Sequence, residues 1–400
     1  MALNDFKAYY DNSYEEIFNK ILVAKDIMNT RFEPSLIAGA SVVRTAMDLS
    51  GVKVRTVVRG AASTIDSITD STESLLVNIE KEVAVFISDG EAKQASNLNP
   101  GEYAGKQMAL KIATDLDGRC FAEVVNASYS FDNGDLTTGS SSGTPITLSN
   151  TTVPQMVTRL GAKLRNKNNQ EVMTNMALVV DSYAASDISQ FIISKNIDIA
   201  GATFKNGYVG DVGSAQMYIS ENLTSTSVLG LATQPTDGDT VTIAGVTFTF
   251  KTTLGSTAGN VLIGASADTA NTNLAALINN PSVTTTEGVA LSAANQAIIE
   301  KYTATADTTA NTLTVVGTGT GRTLVSETLT AGGDTWSLNY LNCYYGKKGA
   351  IDLVLQDKKE VDVRPTSDRR GNNIFSSYLA GIKTFADGAK KFLNVKILVA

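Results

Sequence analysis

The chain has 400 residues, enough to bury a sizeable core and to form two or more domains. Hydrophobic residues make up 43% and charged residues only 18%, with a net charge of −7 and no histidine at all. The missing imidazole removes the commonest general acid/base, the usual metal ligand and every Ser–His or Cys–His nucleophile pair. The acidic balance argues against tight, sequence-specific DNA binding.

No run of about 18 apolar residues appears, so no membrane span is expected. The start Met1-Ala2-Leu3-Asn4-Asp5 lacks the basic and apolar regions of a secretion signal, and folding in the cytoplasm is expected. Cys120 and Cys343 lie far apart in apolar patterns without Cys-x-x-Cys spacing, the setting of buried, inert thiols. Charge is uneven: eleven Lys/Arg face six Asp/Glu from residue 345 onward, whereas residues 233–335 hold three against eight.

In chain order, Ser13-Tyr-Glu-Glu16 reads as a capping box. The helix it opens places Ile17, Ile21, Ala24 and Met28 on one stripe and ends at Glu33-Pro34. Such a terminal helix either docks on its own domain or reaches across to a neighbouring subunit. Residues 52–58 alternate as a strand, and 75–87 form a second β-rich run. The polar stretch 61–74 between them suggests a protruding hairpin, whose edges need cover from another chain. After Asn99-Pro100-Gly101 a long helix is predicted over 103–126, with Met108, Ile112, Leu116, Cys120 and Val124 four residues apart. Residues 128–150 are Ser/Thr/Gly-rich and read as a loop. A helix from about Val153, with Pro154 in its first turn, has Met156, Leu160 and Leu164 on its apolar face. Its basic face, with Arg159, Lys163, Arg165 and Lys167, is expected to be solvated. A buried strand at 176–181 and a short helix at 186–196 follow.

Residues 233–335 are rich in Thr, Ala, Gly and Asn, yet their apolar periodicity is too regular for disorder. The alternation Val241, Ile243, turn Ala244-Gly245, Val246, Phe248, Phe250 predicts a hairpin. A strand at Val261 and Ile263, a helix over 268–279, and further strands from Leu313 and Leu324 complete a small independent α+β domain. Asp237-Gly238-Asp239 is a polar turn in preference to a calcium loop. Gly317-Thr-Gly319-Thr-Gly321 lacks the spacing and βαβ setting of a dinucleotide loop and reads as a turn. Beyond Trp336, strands are expected at 341–345, 350–355, 360–364, 374–385 and 392–399.

The segment Asn206-Gly-Tyr-Val-Gly-Asp-Val-Gly-Ser-Ala-Gln-Met-Tyr-Ile-Ser-Glu-Asn-Leu223 sets glycines at Gly207, Gly210 and Gly213 ahead of a short alternating strand. It resembles the glycine-punctuated turn and strand near the tip of tailed-phage major capsid proteins of the Hong Kong 97-type fold. It departs from that pattern in placing Gly213 one position early. The run Gly346-Lys-Lys-Gly-Ala-Ile-Asp-Leu-Val-Leu355 is also similar to that family. The order of elements carries the resemblance over about three-quarters of the chain, residues 233–335 excepted.

The resemblance implies an α+β fold with an N-terminal arm (1–50), an extended hairpin loop with peripheral-domain strands (51–98) and a spine helix with the peripheral domain (99–150). It further implies an axial domain (151–232), an inserted β-rich surface domain (233–335) and return strands (336–400). It implies a structural protein with no enzymatic activity, cofactor or metal. Such a protein assembles as hexamers and pentamers into an icosahedral shell around double-stranded DNA, bound without sequence preference. Implied partners are further copies of the chain, a separate scaffold protein, a portal and a decoration protein, with no membrane. Implied contacts between subunits fall at Ile17, Ile21, Met28, Arg55, Arg59, Gly207, Gly210 and Gly213. With the 100 residues before the spine helix occupied by arm and hairpin, no cleavable scaffold segment is expected at the N-terminus. The location implied is the virion capsid, assembled in the host cytoplasm. An encapsulin-like cargo shell and a phage tail structural protein are the alternatives.

Overall fold

The computed structural model describes residues 22–31, 41–48, 52–57, 59–60, 62, 65–67, 69–90, 100–139, 141–167, 174–194, 208–212, 215–330, 332–366 and 370–399. Expectations at Ser13, Glu16, Ile17, Ile21, Gly207 and Gly213 lie outside them.

A single helical turn, α1 (Ala24–Ile27), precedes the ribbon of β1 (Ser41–Asp48) and β2 (Thr69–Leu76), antiparallel from Ser41↔Leu76 to Asp48↔Thr69. The hairpin expected from the sequence therefore exists, but its strands are displaced. Residues 52–57 lie outside the described strands, because an alternating pattern makes a strand only where a partner backbone accepts its hydrogen bonds. The β-rich run at 75–87 breaks at residues 77–78, where β2 gives way to β3 (Ile79–Ser88).

The long helix is α2 (Pro100–Ala122), tightening into a 3₁₀ turn at Glu123–Asn126. It starts three residues earlier than expected, since proline suits a first helical turn. Met108, Ile112, Leu116, Cys120 and Val124 are all buried. The stretch 128–150 is not wholly loop. It contains β4 (Tyr129–Phe131), whose backbone is drawn into parallel pairing by a strand far away in sequence. It also holds a 3₁₀ turn at Asn133–Asp135, where Asp132 and Asp135 form a capping box. Next come α3 (Thr152–Lys167), β5 (Met176–Val180), α4 (Ser182–Ser194), and the hairpin β6 (Tyr208–Val212) and β7 (Ala215–Ile219). Helix α4 begins four residues before the expected start, because Asp181 caps it, accepting from the amide of Ala184 at 3.2 Å.

After β8 (Thr224–Gly230) comes the Thr-rich segment: β9 (Thr240–Ile243), β10 (Val246–Lys251), β11 (Asn260–Leu262), α5 (Ala267–Asn279), α6 (Ala293–Ile299), β12 (Tyr302–Asp307), β13 (Thr312–Gly317) and β14 (Val325–Glu327). Helix α6 and strand β12 carry no clear sequence signal. The β9–β10 turn has positive φ at both Ala244 (50°) and Gly245 (81°), the geometry that matches strand twist in two-residue hairpins. The chain closes with β15 (Thr335–Lys347), β16 (Asp352–Pro365), β17 (Gly371–Lys383), the turn α7 (Ala386–Ala389) and β18 (Phe392–Leu398). The expected strands 350–355 and 360–364 are one strand, interrupted by register shifts after Leu355 and Lys359.

The largest sheet runs β12-β13-β8-β15-β5-β7-β6, with β18 pairing both β15 and β4. A three-stranded sheet β16-β17-β3 lies beside α2, and β11-β10-β9-β14 form a four-stranded sheet. The main core gathers α1, α2, α3, β5, β7, β15 and β18. Residues 229–315 contribute most of a second core, around Phe248, Phe250, Leu274 and Leu313. Strand β8 binds the two: Gly230 pairs with Thr335 on one side and Thr312 on the other. The Thr-rich segment thus leaves and rejoins at adjacent points, and its strands β12 and β13 extend the large sheet.

Candidate assembly surfaces

Among the described residues no group of three or more His, Cys, Asp or Glu could hold a metal ion, and no helix is long and apolar enough to cross a membrane. Cys120 and Cys343 are buried, and loss of hydration pushes both thiols well above their usual range. Three features of the described residues bear on how the chain holds its extensions and its Thr-rich segment.

The first is the hairpin. Its base is fixed: Leu75 packs with Val77, Val354 and Phe385 in a small core. Lys383 Nζ donates to the Ser74 carbonyl at 2.8 Å, and the Ala386 amide to Glu73 Oε2 at 3.0 Å. Gly381 leaves no room for a side chain, since a Cβ there falls 2.6 Å from both Leu75 Cδ2 and the Leu76 carbonyl. Arg44 reaches from β1 to Asp387 at 2.6 Å and lies over the Phe385 ring. The tip is different. Val54 (105% exposed), Ile65 (91%) and Val57 (83%) stand in solvent. They are held there by Asp66, which takes both guanidinium nitrogens of Arg55 at 2.6 and 2.7 Å and the Lys53 amide at 2.9 Å. Those donors, Arg55 foremost, hold the Asp66 carboxyl below the usual range. Arg55, expected at a subunit contact, thus organises the tip of its own chain, and Arg59 is exposed at the turn with Gly60 (φ +87°).

The second is residues 22–31. The amides of Val23 and Ala24 donate to the two oxygens of Asp117 on α2 at 3.1 and 2.9 Å. Asn29 then bridges to β16: its amide donates to the Ile351 carbonyl at 2.8 Å and its carbonyl accepts from Leu353 at 3.0 Å. Met28, expected at a contact between subunits, is 6% exposed and sits with Ala24 and Ile27 in the chain's own core. The apolar stripe is satisfied here by α2, because Asp117 supplies acceptors to otherwise unpaired amides.

The third is the junction of the Thr-rich segment with the main core. Gly118 and Gly319 touch backbone to backbone, a Cβ on Gly118 falling 2.7 Å from Gly319 Cα. Gly319 and Gly321 have φ of +63° and +60°, and the Gly321 amide donates to the Leu223 carbonyl at 3.0 Å. Arg322 donates to the buried Asp181 and lies over Tyr183, 4.9 Å from its centroid. The glycine triplet is indeed a turn, and one shaped by close backbone approach. Asp237-Gly238-Asp239 is a turn too: Asp237 accepts from the Thr252 amide at 2.8 Å and Asp239 from the Thr236 amide at 2.8 Å.

Elsewhere, Gly210 lies in β6 opposite Met217, beside a register shift. The basic face of α3 is partly engaged: Lys163 pairs with Asp135 at 2.5 Å and Arg159 donates to the Asp135 carbonyl at 2.7 Å. Gly346 packs against Phe392, which stacks on Tyr344 with centroids 5.1 Å apart.

No family model matches the chain, and no curated protein does. Among solved structures it is similar to one from Mycobacterium phage Che8, at 12% identity and TM-score 0.44, covering 93% of this chain and 90% of that one. It is similar to the capsid structure of the cyanophage P-SCSP1u at 14% identity and TM-score 0.47, covering 95% and 89%. It is also similar to the capsid of Ralstonia phage GP4, at 7% identity and TM-score 0.45, covering 93% and 87%.

Proposed function

We propose that this chain is a major capsid protein of a tailed bacteriophage, a Hong Kong 97-type subunit assembling as hexamers and pentamers into an icosahedral shell around double-stranded DNA. The observation that carries this reading is the hairpin. A ribbon with a docked base presents Val54, Val57 and Ile65 fully to water on a tip held by the Arg55–Asp66 pair. Apolar groups so presented are cover for, and are covered by, another copy. Closure of a shell multiplies each such contact. The glycine-stepped segment 206–223, the long helix and the return strands beyond Trp336 support the same reading. In this reading a separate scaffold protein, a portal, a decoration protein and packaged DNA are the partners. Residues 17 and 21 of the arm and the tip residues Arg55 and Arg59 lie at contacts between copies, and the acidic segment 233–335 faces outward.

Negative-stain microscopy of the purified chain, with its scaffold supplied where needed, is the test. Icosahedral shells are expected; monodisperse monomers under all conditions would overturn the reading. Nuclease-protected DNA inside particles from infected cells separates a phage capsid from a cargo shell.

A further inference from the structure

Three separate parts of the chain converge on Asp352, at the start of β16. Its side chain is 3% exposed. Asn29 Nδ2 donates to it from the arm segment. Arg44 Nη1 lies 3.9 Å away, on β1 of the hairpin. Asp387 and Lys391 approach from the C-terminal turn, where both Arg44 (2.6 Å) and Lys391 (3.3 Å) pair with Asp387. The cluster holds two carboxylates and two cations, and only one cation, Arg44, belongs to the hairpin.

We propose that Asp352 couples the position of the hairpin to the docking of residues 22–31. With Arg44 in place, the buried carboxylate has a countercharge and Asn29 bridges to it without penalty. Were Arg44 withdrawn, Lys391 would be the remaining cation of the cluster for two carboxylates, and a buried charge short of partners is costly. A carboxylate so placed relaxes toward water or takes up a proton, and either change disturbs the group to which Asn29 Nδ2 donates. Burial already pushes the Asp352 carboxyl up to about 6, with Asn29 and Arg44 acting against it. The loss of Arg44 from the hairpin is thereby felt at Asn29 on the arm segment. This coupling lies within one chain and does not depend on the shell reading.

Hydrogen exchange of the full chain at pH 8, with variants compared in one assembly state, tests the coupling. The amides of Asn29 and Leu353 report arm docking directly, since each bonds across the arm–β16 bridge. Arg44→Ala is expected to speed their exchange about tenfold. Arg44→Lys is expected to keep wild-type protection. The decisive variant is the double change Arg44→Ala with Asp352→Asn, in which the neutral amide needs no countercharge. It is expected to restore protection to within about twofold of the single Asp352→Asn chain. Unchanged exchange in Arg44→Ala, or a rise that Asp352→Asn does not relieve, overturns the coupling.

Discussion

Asp117 shows how one side chain can set both a docking point and its pH dependence. Burial raises its pKa to about 7, against hydrogen bonds from Ala24 and Val23 that lower it, and the nearby Asp26 raises it further. A raised folded-state value means that the folded chain holds the proton more tightly than the unfolded one. The associated stability is therefore complete below about pH 4 and is lost as pH rises through 7, on the order of 4 kcal/mol in all. The expected outcome is that wild type loses stability relative to Asp117→Asn between pH 5 and pH 8, measured by denaturant titration at each pH. A flat difference across that range would contradict the assignment. Gly118, the next residue, gives a second test. Gly118→Ala drives a methyl into Gly319, a backbone neighbour that cannot rotate away. A loss of about 1–3 kcal/mol in the same titration is expected. In the sequence, Asp117 and Gly118 are two unremarkable positions on a predicted helix. Their roles depend on residues 23–24 and 319, far off in the chain, and no local pattern marks such partners.

At the scale of elements, the hairpin and the Thr-rich segment differ in how readily they are read. The β9–β10 hairpin follows from strict alternation about Ala244-Gly245, because its strands are neighbours in sequence and its turn dictates register. The β1–β2 ribbon lies about ten residues ahead of the expected first strand, and most of the run expected as its second strand is β3, paired with β17. Alternation at 52–58 is as good as at 41–48, and what separates them is which backbone lies opposite. The helix α6 is capped by Ser292, whose oxygen accepts from the Asn295 amide at 3.4 Å, but Ala-Ala-Asn-Gln offers too little apolar contrast to announce it. One element-scale prediction follows from the small core under the ribbon. Leu75→Ala empties a fully buried site shared with Val77, Val354 and Phe385. It is expected to cost about 2–4 kcal/mol and to hasten proteolytic cleavage within residues 41–76, read by mass spectrometry of the fragments.

Among the described residues, a main core and a second core are joined through β8, a small third core sits under the base of the ribbon, and Val54, Val57 and Ile65 at the ribbon's tip are exposed. The tip is expected to matter to association alone. Val54→Asp and Val57→Asp should leave the chain's own stability within about 0.5 kcal/mol yet prevent assembly, scored by sedimentation velocity and microscopy. The opposite expectation holds for the Thr-rich segment. Gly230 and Thr335 are direct partners, so residues 231–334 could be replaced by an Asn-Gly turn without stretching the β8–β15 ladder. Yet excision strips β13 from β8 and uncovers Leu229 and Trp336, which pack in the second core. Aggregation of the excised chain is expected; a soluble, cooperatively folding product would show that the segment is a separable module.

By itself the sequence determined the elements whose signals are local: the long helix from its four-residue apolar ladder, the amphipathic α3, the hairpin at Ala244-Gly245, and the exclusion of imidazole chemistry by composition. Periodicity and turn chemistry act over a few residues, and those are written directly in the chain. Only the tertiary structure decided which strands pair across long separations, that Met28 docks inward on α2, and that β8 ties the Thr-rich segment to the large sheet. The same holds for the meeting of Asn29, Arg44 and Asp387 at Asp352. Each of these rests on contacts between residues tens to hundreds of positions apart, where the energy comes from burial and charge pairing that no short stretch of sequence contains.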